Sequence, residues 1–376
     1  MAVIEQFGTD LYKQIAKDAR GNVVLSPYGA AAAVAMTRLG AAGTTADQID
    51  GVLHTTGASD ASTAFNSLAQ ELVKPRTASV TDAAHAPLLT TANQLWGQRA
   101  YSFERPFLDA LATYYGAGLY LEDFAGATEQ ARSDINDWVA RNTQDRITDL
   151  IPRGILDQNT RFALTNALYL KASWWKAFTK SLTKPMPFRR ADGTVVQAPM
   201  MATYSQFPYH AGSGYQAVQM PYQGGLSMLV VVPDAGTFSA FEMGLSGAQL
   251  RSIVGGLERD YGVSLTFPKF QFRTETDLAR PLSALGMPIA FTERADFSGV
   301  TRQEPLRLQA ALQQTFIAVD EDGTEAAAAT AFVGGATGGP PKSVELVVDR
   351  PFIFLIRDDA TGAILFIGRV LDPTAS

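Results

Sequence analysis

The segment Glu321-Asp322-Gly323-Thr324-Glu325-Ala326-Ala327-Ala328-Ala329-Thr330-Ala331-Phe332, continuing as Val333-Gly334-Gly335-Ala336-Thr337-Gly338-Gly339-Pro340-Pro341-Lys342, supports three local readings. By propensity, Thr324 as N-cap and the four alanines begin a helix, because Ala is the best helix former. By its downstream composition the segment is a loop, since Gly334, Gly335, Gly338, Gly339, Pro340 and Pro341 interrupt helices and ladders alike. By alternation it is a strand. Thr324, Ala326, Ala328, Thr330 and Phe332 then share one face, and Glu325, Ala327, Ala329, Ala331 and Val333 share the other. Glu325 carries the only charge of that strand, and its face is expected to be the solvent side. Loops are normally polar, whereas side chains this small and uncharged can slide between two existing strands. An Ala/Gly-rich linker between domains fits the composition equally well. The flanks and the rest of the chain decide.

The chain has 376 residues, of which 46% are hydrophobic and 18% charged, which is globular composition with enough apolar material for a large core. Its 31 Lys and Arg against 37 Asp and Glu give a net charge of −6, with no basic block suited to nucleic acid or heparin. The absence of cysteine excludes disulfides, thiolate catalysis and zinc–cysteine sites, and leaves the compartment open. Near the N-terminus, Ile4, Phe7, Leu11 and Ile15 recur at helical spacing, so residues 1–17 form an amphipathic helix and neither a signal peptide nor a membrane span. A cytoplasmic location is expected if Met1 is the natural start, and secretion if a leader preceded it.

Further along, Ser26 as N-cap and Pro27 at the first helical position open a helix whose body, residues 29–36, is small and apolar all round and therefore buried. Gly40 and Gly43 end it, and Thr44 and Thr45 cap a third helix with Asp47 and Gln48 in capping-box positions. Residues 65–73 and 128–142 supply further amphipathic helices. The period then changes. Residues 161–174 are too continuously apolar for a surface strand and read as a central strand buried on both faces, with Asn166 as its awkward amide. Short strands dominate from Phe188, including a hairpin around Gln223-Gly224-Gly225 and a closing hairpin over residues 351–370, with a helix over 276–285 ended by Gly286. Helices first and antiparallel strands later define an α+β fold in one intertwined domain, 1–376.

Catalysis finds little support. The three histidines, His54, His85 and His210, have no metal-ligating spacing, and neither HExxH nor GxSxG occurs. Gly212-Ser213-Gly214 imitates a dinucleotide fingerprint but leads into a strand. No metal and no cofactor are expected.

The run EDGTEAAAATA, read together with DRPFIFLIRDDATGAILFIGRVLDP at the C-terminus, resembles the hinge, reactive loop and C-terminal signature of the serpins, the serine protease inhibitor family. NVVLSPYGAAAAVAMTRLGAAGTTADQI, INDWVARNTQDRITDLI, TNALYLKASWWKAF, LTFPKFQFRTETDLARPLSALGM and AFTERADFSGV extend the resemblance over essentially the whole chain. It implies a serpin fold: eight or nine helices, mostly N-terminal, packed on a large central mixed sheet with two smaller sheets. It also implies an exposed reactive loop over about 324–343. The implied activity is inhibition as a suicide substrate, with a loop that inserts into the central sheet, a mechanism known for this family. The hinge of inhibitory members resembles Gly, Thr or Ser, Glu, then small residues, and Gly323, Thr324, Glu325, Ala326, Ala327, Ala328 and Ala329 meet each demand. The intact hinge argues against the alternative of a non-inhibitory serpin acting as a binding module or chaperone.

Counted from Gly323 in the family's way, the scissile bond joins Thr337 to Gly338. An inserted strand from Thr324 to Thr337 would span roughly 43 Å. The residues before the bond are small and uncharged, so the expected partner is an elastase-like or subtilisin-like serine protease held in a one-to-one covalent complex, with cleavage at Phe332 or Lys342 giving substrate behaviour instead. The resemblance further assigns Ser26, Asn166 and Gln313 to a cluster termed the shutter. Gln313 stands for the usual histidine and Gly29 for a usual second serine, so sheet opening is expected to lack a histidine's pH sensitivity. Trp174, Lys269 and Glu321 match the breach at the top of the sheet. A monomer that polymerises on heating is implied.

Overall fold

A computed structural model describes residues 2–73, 80, 86–325 and 342–375. Among them are nine α-helices: α1 (Ala2–Asp18), α2 (Pro27–Arg38), α3 (Gly43–Leu53), α4 (Ala58–Val73), α5 (Arg105–Tyr115), α6 (Phe124–Asn142), α7 (Phe238–Gly244), α8 (Gly247–Gly255) and α9 (Ala279–Leu285). Ser26 caps α2 as its position predicts, its Oγ accepting from the Gly29 N–H at 2.9 Å. Every residue of α2 from Pro27 to Thr37 is buried, which matches its uniformly small, apolar body.

Two local expectations fail for tertiary reasons. Helix α3 starts at Gly43 behind an Ala42 that makes no side-chain cap bond, because the Thr45 hydroxyl instead accepts from the distant Asp296 N–H at 2.9 Å. The helix expected over 276–285 begins only at Ala279, because Thr276 and Asp277 end a strand paired to Gln313 and Leu312. Gly286 does cap it.

Three sheets organise the remainder. The large mixed sheet has the order β11 (Phe270–Asp277), β12 (Ala310–Val319), β13 (Gly323–Thr324), β4 (Phe162–Ser173), β2 (Leu88–Gln98) and β3 (Leu119–Glu122). A six-stranded antiparallel sheet comprises β1 (Val23–Leu25), β16 (Ile364–Val370), β15 (Phe352–Asp358), β9 (Leu226–Pro233), β8 (Tyr215–Pro221) and β7 (Tyr209–Gly212). The third sheet runs β14 (Lys342–Val347), β10 (Tyr261–Pro268), β6 (Val195–Ser205) and β5 (Lys184–Arg189).

Alternation along β4 divides its faces. Leu164, Leu168, Leu170 and Ala172 join the main core with α2 and the six-stranded sheet. Ala163 and Ala167 face a second cluster built from α6 and the segment after it, with Ile135, Val139, Ile147, Leu150, Ile151 and Leu156. Burial on both faces explains why this strand reads as a continuous apolar run.

The main core tolerates no added bulk at Gly368 in β16, where a Cβ would stand 2.4 Å from the Val23 carbonyl oxygen and 2.6 Å from the Phe354 ring. Gly368→Ala is expected to lower stability by about 1–3 kcal/mol, read as the urea midpoint of the first unfolding transition.

Candidate functional site

The central sheet contains a forked pair of strands. From Ala163↔Ala310 to Leu168↔Thr315, β4 and β12 pair directly and in parallel. Above those rungs they part, and β13 lies antiparallel to both, with Thr324 opposite Val319 on one side and Ala172 on the other. On the last two paired rungs of β12, Gln314 Oε1 and Thr315 Oγ1 are buried without a hydrogen-bond partner among the described residues.

Below the fork, three amides from adjacent strands stand in one row: Asn93 of β2 is in register with Asn166, and Asn166 with Gln313. Gln313 Nε2 donates to Asn166 Oδ1, and Asn166 Nδ2 donates to Asn93 Oδ1. Gln313 also accepts from the Ser26 N–H and donates to the Ser26 carbonyl, both at 3.1 Å. The structure therefore brings Ser26, Asn166 and Gln313 together. Gly29 is sterically required there, because a Cβ would lie 2.5 Å from Asn166 Nδ2 and 3.0 Å from Ser26 Oγ. Asn93 was not expected. It sits in a Thr-Thr-Ala-Asn-Gln run of ordinary edge-like polarity, and only the register exposes its role.

Above the fork, residues 320–323 form a tight turn in which Asp320 Oδ1 accepts from the N–H groups of Asp322 at 2.9 Å and Gly323 at 3.2 Å. Its carbonyls dock on neighbouring elements: Trp174 Nε1 donates to the Asp320 carbonyl, Trp174 N to that of Asp322 and Phe178 N to that of Glu321, each at 2.9 Å. Trp174 stacks on Tyr222 at 4.2 Å, and the Tyr222 hydroxyl shares a 2.6 Å hydrogen bond with the Thr324 hydroxyl. Trp174 and Lys269 thus both contact the turn that carries Glu321.

The Glu321 side chain is nearly buried and bonds Lys269 Nζ at 3.0 Å and the Thr183 hydroxyl at 2.8 Å. Burial pushes its carboxyl up, but the Lys269 ammonium, the backbone amide and the Thr183 hydroxyl outweigh this and hold it below the usual glutamate range. Asp322 is matched in the same way by Lys180 at 2.7 Å.

Glu325 does not face solvent, contrary to expectation. Its side chain is 4% exposed, and Arg146 Nε lies 3.0 Å from Oε1 and 3.1 Å from Oε2. Burial, then the adjacent Glu325 carboxylate to which it is hydrogen-bonded, pushes the Tyr169 hydroxyl up to about 12. The face was misassigned because the α6 side of the sheet is itself covered, by Arg146 and the segment behind it.

After Glu325 the next described residue is Lys342, the first residue of β14, which pairs in parallel with β10. Lys342 and Ser343 are therefore strand and not loop, and Lys342 is held 3.1 Å from Asp260 and 5.0 Å above the Tyr261 ring. Ala326, Ala327, Ala328, Ala329, Thr337 and Gly338 lie outside the described residues. Among the described residues, no group of three His, Asp or Glu could hold a metal, and no helix is long and apolar enough to cross a membrane.

A serpin (serine protease inhibitor) family model matches residues 2–373, and the chain belongs to that family. An uncharacterized serpin-like protein of Thermococcus kodakarensis is 37% identical, covering 98% of this chain and 85% of the relative. Plasminogen activator inhibitor 1 of Bos taurus is 35% identical over 98% of this chain and 91% of its own length. Leukocyte elastase inhibitor of Sus scrofa is 33% identical over 98% of both. Members of the family are mostly protease inhibitors rather than catalysts.

A carboxylate held low when folded contributes stability that is full above the ordinary glutamate value of 4.5 and is lost as pH falls through the lower folded value. Glu321→Gln is therefore expected to lower the unfolding midpoint at neutral pH, by up to about 1 kcal/mol given the half-exposed lysine, and to match the unsubstituted chain in acid. In the amide row nothing titrates, so Gln313→His should give a rate of sheet opening that changes between about pH 5 and 8, against a flat profile for the unsubstituted chain, measured by the appearance of urea-resistant protein on warming.

Proposed function

We propose that the chain is one serpin domain that inhibits a serine protease as a suicide substrate, with the reactive loop running from Thr324 to the start of β14. The protease serine attacks the Thr337 carbonyl, an ester forms and the amine of Gly338 leaves. The freed strand then enters the central sheet before water completes hydrolysis. Such a reaction needs no catalytic group from the inhibitor.

The observation that carries this reading is the fork: β4 and β12 are paired over six rungs and parted above, with the first two residues of an antiparallel strand already between them. Extending that strand replaces one parallel ladder with two antiparallel ones. Each inserted residue exchanges water for ladder hydrogen bonds, and antiparallel pairing is slightly the more stable per residue. Insertion therefore runs downhill once the strands separate, which makes the described state the one that stores free energy. The residues that close the fork, Ser26, Asn166 and Gln313, and those at its mouth, Trp174, Lys269 and Glu321, are proposed to govern when it opens.

Small uncharged residues before Thr337 suit an elastase-like or subtilisin-like enzyme, and similarity to a leukocyte elastase inhibitor supports the former. The protein is proposed to act as a monomer, with polymerisation on heating. Incubation with each enzyme, followed by denaturing electrophoresis and intact mass, tests the reading. The expected outcome is a one-to-one complex that survives denaturation and a released peptide beginning at Gly338. Cleavage with no covalent adduct overturns it in favour of a non-inhibitory serpin.

A further inference from the structure

Glu325 is the last residue described before the loop, and its backbone is not yet a strand. Its N–H already pairs with the Ala318 carbonyl at 3.1 Å, but its φ is +51°, a left-handed conformation that is uncommon for glutamate. The chain is thus paired through Thr324 and half-paired at Glu325, whose own backbone departs from the strand conformation. Something must hold it there, because the next rung of an antiparallel strand would be gained by rotating one φ.

The holding group is Arg146. Besides the two carboxylate contacts at 3.0 and 3.1 Å, its guanidinium lies 5.9 Å from the centroid of Phe316 on β12. Tyr169 on β4 bonds the same carboxylate from the other strand. Glu325, Arg146, Tyr169 and Phe316 therefore close the mouth of the fork on its α6 face, with one aromatic from each parting strand.

Arg146 is itself held in place. The Thr143 hydroxyl caps α6 by donating to the Val139 carbonyl at 2.9 Å and accepts from Ile147 N at 3.2 Å. Arg146 N donates to the Thr143 carbonyl at 3.0 Å, and Gln144 and Asp145 both adopt left-handed conformations to turn the chain. Ile147 is buried in the second cluster. The Arg146 backbone is thereby anchored to the end of α6.

Register dictates what advance would require. Beside the Thr324↔Ala172 pair, the next residue of β4 to be met is Lys171, which by alternation points to the same face as Tyr169. Glu325 in a fully extended conformation would stand across from Lys171 and would have to leave Arg146.

We propose that Arg146 is a positioning residue for loop insertion: it arrests the descending strand at Glu325, and release of this pair sets the rate at which the loop advances. The proposal rests on the reading that the loop inserts between β4 and β12. Arg146 stabilises the loop-out state and hands Glu325 to Lys171 when insertion begins.

The test uses the whole protein, warmed to just below its first unfolding transition, with the half-time for conversion to a urea-resistant form as the readout. In a Lys171→Ala background, which removes the charge that residue 325 would meet on advance, Arg146→Glu and Glu325→Arg are each expected to shorten that half-time about tenfold, and the double swap to restore it to within about threefold. Arg146→Lys should stay near the unsubstituted rate. A general loss of structure would not be rescued by exchanging the charges. Single variants that convert at the unsubstituted rate, or a double swap as fast as its parents, overturn the latch alone. A chain whose loop, once cut by protease, brings no gain in heat resistance overturns the insertion reading and the latch with it.

Discussion

Two strands that pair below and part above impose the constraint on which the other features of the site depend. Backbone amides and carbonyls buried away from water must find partners. Where β4 and β12 lie side by side they partner each other, and where they separate, β13 supplies the bonds for only two residues. The amide row of Asn93, Asn166 and Gln313 crosses the sheet within the paired zone and ties it to the Ser26 cap of α2. The zip is therefore fastened by side chains as well as by ladder bonds, and a buried amide that loses its partner costs about 1–3 kcal/mol. That penalty opposes parting of the sheet.

At the mouth, residues 321–325 are pinned by three ion pairs to three separate elements. Glu321 reaches Lys269 between β10 and β11, Asp322 reaches Lys180 in a short 3₁₀ turn, and Glu325 reaches Arg146 behind α6. Each pair has a cation that is about half exposed or more, so each alone contributes little. Their combined effect is geometric. Carboxylates at these positions fix the turn over Asp320 and aim Thr324 down between the strands, where Tyr222 receives its hydroxyl. Residues 321–325 are thus anchored on three sides before the run of small side chains begins.

Much of the architecture was legible in the chain because it depends on local rules. The apolar run of β4, the Ser26-Pro27 start of α2, the hairpin between β8 and β9 and the C-terminal hairpin reflect periodicity, capping and turn residues. The cluster of Ser26, Asn166 and Gln313 and the meeting of Trp174, Lys269 and Glu321 were legible only through resemblance, since each joins segments far apart in the chain. Thr45 and Thr276 were misread where a distant partner, Asp296 or β12, outcompeted the nearest local pattern. Asn93, Tyr222 and Arg146 carried no signal of their own. An asparagine in a polar strand, a tyrosine before a hairpin and an arginine after a helix are ordinary residues until a register and a crossing place them.

The sequence by itself determined that residues 324–332 could serve as a strand, because small uncharged side chains at alternate positions do not resist burial from either face. Only the tertiary structure decided where that strand starts, which strands its first residues divide and which groups surround Glu325. Those are matters of register between segments distant in the chain, and of the side on which α6 lies, and neither is encoded in the period of any single stretch.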